Sequence, residues 1–446
     1  MSDDSLDLLD DLLARAKARG ADACDAMAVD STSLSVSERL GRPERLERSE
    51  GGDVGLRVFV GRRSAVVATA DRSPETLDGL VDQALAMARA VPEDPYGGLA
   101  DPERLHSGPL PDLAICDTTE PTPEDLVDRA RRCESAARAV EGVTNSEGAE
   151  AGWSRARIAL ANSNGFAHAY ERSGASLSAA VIAGEGTGME TDWEATTATH
   201  LADLWSPEYV GQRAGERAVA RLNPQKPGTK QVPVVFEPRV ARSLLGHLSG
   251  AVNGASVARG SSFLQDHLGA MLFAPGVRVV DDPLRRRGPR SSPFDGEGVA
   301  SQALDLIDDG RLTTWLLDSR SARQLGMATT GRARRSPGGQ PSPGATNLYL
   351  GPGGATPEAI IGAIPDGVYV TTLFGQGVNP VTGDYSRGAT GFWIENGRLT
   401  HPVTEMTIAG NLKDMFANLT PADDLELRWG TDAPTVRIDG MTVAGN

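Results

Sequence analysis

The chain has almost no lysine, few cysteines and little aromatic surface. Lysine occurs only as Lys17, Lys226, Lys230 and Lys413, so nearly all positive charge is arginine. That bias fits GC-rich coding and carries no functional meaning. Cysteine occurs three times, at Cys24, Cys116 and Cys133, with no CxxC spacing. A disulfide-stapled secreted module needs a denser, even-numbered set, so reduced thiols and a cytoplasmic location are expected. No apolar run approaches the ~20 residues of a membrane span. The first residues are acidic, where an export signal is basic and then apolar. The formal net charge is −16 over 446 residues, a sign that repels phosphate backbones and anionic lipid. Nucleic acid and membrane are therefore not expected as partners. The one local excess of positive charge, Arg285, Arg286, Arg287 and Arg290, reads as a solvated loop.

The usual catalytic patterns are missing too. A zinc hydrolase needs three protein ligands and an open position for water. The six histidines, His106, His168, His200, His247, His267 and His401, include no HxxxH or HExxH pair. His247 falls on an expected helix whose neighbours Ser243, Leu244, Gly250 and Ala251 cannot ligate a metal. A nucleophile elbow needs GxSxG, and the stretch from Gly383 to Gly388 around Ser386 has the wrong spacing. The glycine-rich stretches Gly184–Gly188 and Phe374–Pro380 lack the pattern of a phosphate loop and read as tight turns or close backbone contacts. Two acidic pairs, Asp295/Glu297 and Asp281/Asp282, offer acid–base chemistry, but their setting reads as turn-capping acids in exposed loops.

What is present is enough for an α+β protein of two domains. The expected N-terminal α/β domain covers residues 1–228, and a C-terminal, glycine-rich, mainly antiparallel β domain covers 229–446. Leu6, Leu9, Leu13 and Ala16 form one apolar helical stripe closed by Gly20. Val54 to Val60 and Ala65 to Ala68 alternate as a hairpin. Ser73-Pro74-Glu75, Thr122-Pro123-Glu124, Ser206-Pro207-Glu208 and Thr356-Pro357-Glu358 each pair a hydroxyl cap with proline at the first helical position and an acid in the first turn. They predict helices over 74–91, 123–141, 207–222 and 356–364, with strand between about 156 and 202. Residues 223–230 have the composition of a linker. Beyond it, Asp309-Gly310, Asn396-Gly397 and Asp439-Gly440 predict two-residue hairpin turns, and another helix is expected over 239–252.

Four stretches of the second half, in order, carry a resemblance. They are Ser291–Gly298 (SSPFDGEG), Asp318–Gly326 with Thr330-Gly331, Gly377–Ser386 (GVNPVTGDYS) with Gly388 and Gly391, and Pro402–Asn411 (PVTEMTIAGN). Together they resemble the TldD/TldE (PmbA) family, also called modulators of DNA gyrase, over nearly the whole chain. One kind of subunit in that family binds a zinc-type metal through an HExxxH helix and a later cysteine. With Gly250 aligned to the glycine before the second histidine, the two ligand positions are Gly246 and Ala251, and the catalytic glutamate position is His247. The cysteine has no counterpart nearer than Trp429-Gly430. The stretch Ser261-Ser262-Phe263-Leu264 and the Gly-Asp-Tyr-Ser motif are similar to the TldE (PmbA) kind.

The resemblance implies a subunit without a metal or other cofactor of its own. It would complete a peptide tunnel with a TldD-like, metal-bearing HExxxH partner and act on unfolded peptides. It implies no catalytic residue in this chain. If residues here touch substrate, the loop residues Asn379, Asp384, Tyr385 and Ser386 are the candidates. The competing readings are a stand-alone, non-enzymatic peptide-binding homodimer and a subunit of a dedicated peptide or natural-product maturase.

Overall fold

The computed structural model describes residues 4–445, and the architecture is α+β with mainly antiparallel sheets. The first half contributes β1 (Ala23–Arg39), β2 (Arg42–Val60), β3 (Arg63–Thr69), β4 (Val143–Asn162), β5 (Ala167–Ala183) and β6 (Glu190–Ala198). They form one antiparallel sheet in the order β3-β2-β1-β4-β5-β6. One face is covered by α1 (Asp4–Ala18), α2 (Pro74–Ala90), α3 (Pro123–Arg138) and α4 (Pro207–Ala220). Leu9 and Leu12 of α1 and Leu80 and Val81 of α2 pack on Cys24, Ala26 and Ala28 of β1. Leu126 of α3 and Val210 of α4 pack on Leu34 and Val36. All these β1 residues are even-numbered, as a period of two requires for one face. The odd face carries Asp25, Met27 and Val29, and there Met27, Ile158, Leu160 and Phe166 meet Phe294 from the second half.

The expected helix starts are all present. Ser73, Thr122, Ser206 and Thr356 each accept a backbone N–H three residues on, with proline following the cap. Thr122 and Asp125 complete a reciprocal capping box. The cysteines are free. Burial pushes the Cys24 thiol up to about 11 and Cys133 up to about 12, which leaves both chemically quiet.

The second half runs β7 (Lys230–Phe236), α5 (Pro238–Ala251), α6 (Gly254–Ala258), β8 (Val279–Asp281), β9 (Leu304–Asp308), β10 (Arg311–Leu312), α7 (Ser319–Leu325), β11 (Ala333–Arg334), β12 (Ser342–Pro343) and β13 (Leu348–Leu350). It continues through α8 (Pro357–Gly362), β14 (Asp366–Phe374), β15 (Asp384–Glu395), β16 (Arg398–Asn411), α9 (Leu412–Ala417), β17 (Leu419–Pro421), β18 (Thr431–Asp432) and β19 (Val436–Ala444). The main sheet has the order β16-β15-β14-β7-β19-β17, and β16 also pairs with β19, so the sheet curls back on itself. Leu244, Leu245 and Leu248 of α5 pack into its core with Phe236 and Val370. No helix among the described residues is long and apolar enough to cross a membrane.

Two of the three expected hairpin turns are hairpins. Asn396 and Gly397 (φ 51° and 77°) join β15 to β16, and Asp309 and Gly310 (φ 46° and 78°) join β9 to β10. Asp439-Gly440 is different. It lies inside β19, where the pairing with β7 shifts register between Ile438 and Met441. Gly440 at φ 81° serves there as the left-handed residue of a bulge, which makes the same local demand as a turn. The expected linker is also less free than its composition suggests. Gln225 donates its N–H to the Pro402 carbonyl at 2.9 Å, and its own carbonyl accepts from Thr404 at 3.0 Å.

The acidic pairs are the largest departure from expectation. Asp281, Asp295 and Glu297 are buried. Turn capping is correct, since the Asp295 carboxylate accepts from the N–H groups of Glu297, Val299 and Ala333. Exposure is not: the odd face of the first sheet lies over the Asp295 loop, and Asp281 ends strand β8, where its carboxylate accepts from Arg332 and Thr346. The packing is close: a Cβ on Gly55 would stand 1.8 Å from the Pro337 carbonyl oxygen. Asp25 bonds Arg57 across the β1–β2 register and also Arg335 at 2.6 Å, which ties sheet and loop together by buried charge.

Candidate functional site

Helix α5 has two stripes. Val240, Ala241, Leu244, Leu245, Leu248 and Ala251 are buried. The other stripe, Arg239, Arg242, Ser243, Gly246, His247 and Gly250, recurs at three- and four-residue steps and so shares one side. That side borders two adjoining cavities. The first, of ≈ 350 Å³, is lined by Gly246, His247, Gly250 and Ala251 and, across it, by Gln376 and Arg387. The second, of ≈ 620 Å³, is lined by Arg239, Arg242 and Ser243, by Trp193 and Trp429, and again by Arg387.

The glycines of this stripe have no packing reason to be glycine. A Cβ built on Gly246 or Gly250 meets no heavy atom within 4 Å. Glycine inside a helix costs about 0.8–1.0 kcal/mol relative to alanine. Gly246→Ala and Gly250→Ala are therefore each expected to stabilise the protein by about 0.5–1 kcal/mol, read as a rise in the urea midpoint. A loss of stability in either variant would mean that the helix face is closed rather than open.

Behind the first cavity two aromatic rings meet, His247 of its lining and the buried Tyr385. His247 and Tyr385 lie 5.9 Å apart, edge to face at 80°. The His247 Nε2 and the Tyr385 hydroxyl are both enclosed without a hydrogen-bond partner. Burial pushes the His247 pKa below its ordinary value, and the Arg387 charge adds to the effect. The imidazole is thus neutral near pH 7. Burial raises the Tyr385 phenol, which stays protonated.

The other candidates from the 377–386 loop lie elsewhere. Asn379 is exposed, and its side-chain oxygen accepts from the N–H of Val381 and Thr382. Asp384 is exposed and accepts from Thr382 and Asn411, which hold its carboxyl below the usual range. Ser386 is exposed, and its N–H donates to the Gly377 carbonyl at 2.6 Å. A Cβ on Gly377 would stand 1.6 Å from the Ser386 carbonyl oxygen, so this glycine serves close backbone approach. Of the four, the structure brings only Tyr385 against His247. The other three hold the turn.

Gly246, His247 and Ala251 do share one cavity, but their donor set does not suit a metal. Two of the three offer no lone pair. Among the described residues, no group of three or more His, Cys, Asp or Glu side chains could hold a metal ion. Trp429, nearest to where a cysteine ligand is expected, instead stacks under the Arg242 guanidinium at 4.7 Å and faces the second cavity. What the arrangement can do is bind. It offers arginine N–H groups, two enclosed polar atoms and indole faces. Sequence reasoning missed Arg242, Arg387 and Trp193, and it noted Trp429 only as the nearest counterpart of a cysteine. Only the first had a signal, as part of the polar stripe opposite the leucines. The others come from distant strands and loops.

Comparison with known proteins covers the whole chain. Models of the PmbA/TldA metallopeptidase domains match it three times: domain 1 over residues 24–88, the central domain over 116–222 and the C-terminal domain over 229–445. The Escherichia coli O157:H7 protein named metalloprotease PmbA is 39% identical over 426 residues, covering 95% of this chain and 92% of that one. A proposed modulator of DNA gyrase from Bacteroides thetaiotaomicron, known from its crystal structure, superposes with a TM-score of 0.92 at 26% identity, covering 100% of both chains. TldE from Thermococcus kodakarensis shares the fold, with a TM-score of 0.87 at 21% identity over 98% of this chain and 99% of that one.

Proposed function

This chain belongs to the PmbA/TldD metallopeptidase family, and from that premise we propose that it is the non-metal-binding subunit of a two-chain peptidase. One observation supports the reading: Gly246 and Ala251, which the resemblance sets at the family's metal-ligand positions, have no donor atom and both border an open cavity. A metal-bearing HExxxH partner would supply the hydrolytic centre. This chain would enclose and bind the unfolded peptide substrate.

The binding role suits its geometry. Strand β6 ends the first sheet, and its Trp193 and Glu194 line cavities next to α5. An extended peptide added beside such an edge is held by main-chain hydrogen bonds and needs no particular sequence. The free cysteines suit a reducing compartment, and we place the assembly in the cytoplasm.

The test is hydrolysis of an unstructured peptide by this chain, by an HExxxH chain from the same genome, and by the two mixed. Turnover is expected only in the mixture, or far faster there than with the HExxxH chain alone. Metal-dependent turnover by this chain alone would refute the proposal.

A further inference from the structure

Arginine in this protein is usually paired with a carboxylate. In the second cavity beside α5 it is not. Four arginines line that space, and no Asp or Glu does. Only Arg239 is neutralised locally, at 3.1 Å from Asp192 and 3.3 Å from Glu237. Arg242 donates through Nε to the Arg239 carbonyl and stacks on Trp429. Arg290 donates to the Thr431 hydroxyl. The Arg387 side chain has no hydrogen-bond or ion-pair partner among the described residues, and its Nε is enclosed without one.

The carboxylate felt most by Arg242 is Asp432, but that group already accepts the N–H of Arg428, Trp429 and Gly430. Burial, together with the like charges of Arg239 and Arg290, lowers the Arg242 pKa despite Asp432. Converging guanidinium groups without counter-ions are costly in the free protein. They become favourable when an anion arrives, through charge-assisted hydrogen bonds. Arg387 also borders the first cavity, with its unpartnered His247 Nε2, so the positive groove continues along α5.

We propose that this groove is an acidic-peptide subsite, in which Arg242, Arg290 and Arg387 take the carboxylates of an extended substrate segment and Trp193 and Trp429 flank its apolar parts. The proposal rests on the peptide-handling reading above and gives it a substrate class. A polyphosphate strand meets the same net charge of −16 but has no apolar side chains for Trp193 and Trp429 to flank, and titration with an oligonucleotide distinguishes the two.

The experiment is calorimetric titration of the chain alone with short, doubly capped peptides in which every second residue is Asp, Asn or Lys. A single-stranded oligonucleotide is titrated in parallel. The Asp peptide is expected to bind about tenfold or more tighter than the Asn peptide, with the advantage shrinking as salt is raised. Arg387→Gln and Arg290→Gln should each cut that advantage several-fold. Arg278→Gln, at an exposed arginine held by Asp305, should leave it intact. The Arg387 side chain makes no internal hydrogen bond or ion pair, so its variant should fold normally.

Equal affinity for Asp and Asn peptides, insensitivity to both groove variants, or preference for the oligonucleotide would overturn the assignment. Loss of the acidic preference while the mixed chains still cut neutral peptides would remove the groove and leave the subunit reading. An intact preference with inactive mixed chains would do the reverse.

Discussion

Asp25→Ala is expected to lower the unfolding free energy by about 3–5 kcal/mol, among the largest effects of any single substitution in this chain. Asp25 is 2% exposed and bonds Arg57 and Arg335, whose side chains are 6% and 0% exposed. Burial alone would push the Asp25 carboxyl up, but Arg335 and Arg57 outweigh it and hold the group below its ordinary value. Removing the carboxylate strands two guanidinium groups away from water. One belongs to the first sheet and the other to the segment packed over it. The variant should therefore loosen the contact between the halves as well as destabilise each. Urea unfolding with hydrogen exchange at Phe294 and Arg335 measures both. A loss below about 1 kcal/mol would place the network in solvent contact.

The second large effect is a dependence of stability on pH. Asp295 is pushed up to about 7 by burial first and by the Glu297 charge second, against the backbone N–H groups that it accepts. Glu297 is also raised, by burial and then by Asp318, although Arg57 opposes the shift. For carboxyls raised in the folded state the sign is fixed. The folded protein holds more protons than the unfolded chain, so this contribution is complete below about pH 4 and is lost as pH rises toward 7. Stability should accordingly fall by a few kcal/mol between pH 5 and pH 8, other groups being equal.

Glu297→Gln removes the like charge yet keeps an oxygen for the Ser319 N–H, which the carboxylate accepts at 2.8 Å. It should flatten the slope. Unfolding free energies of both proteins across that range are the check, and an unchanged slope in the variant would mean that the pair does not share a proton.

Much of the fold was readable where its cause is local. A hydroxyl cap, a proline and an acid in consecutive positions decide a helix start by themselves, and all four such starts were found. Asn396-Gly397 gave a hairpin for the same reason. Asp439-Gly440 shows the limit. A left-handed glycine is required by a turn and by a bulge alike, and only the pairing of β19 with β7 distinguishes them. The buried acids were misread because their partners are remote. Arg335 reaches Asp25 across 310 residues of sequence, and nothing near Asp295 announces that a sheet will cover it.

The site follows the same division. That Gly246 and Ala251 would share one helix and one cavity was legible, because the expected helix covers both and their spacing sets them near one side. Arg285 to Arg290 looked like one solvated loop. Arg286 and Arg287 are exposed, and they pair with Asp112 and Asp203 of the first half, whereas Arg290 turns to the α5 groove. Arg387 and Trp429 join that groove only through the packing of β15 and the chain near β18 against α5.

The measurement that bears most directly on the account is a tagged pull-down of this chain from its native host, with all co-purifying proteins identified. The account predicts a chain of similar size bearing HExxxH, together with metal-dependent peptidase activity in the recovered complex. Recovery of this chain only with itself, without such a partner and without activity, would contradict it.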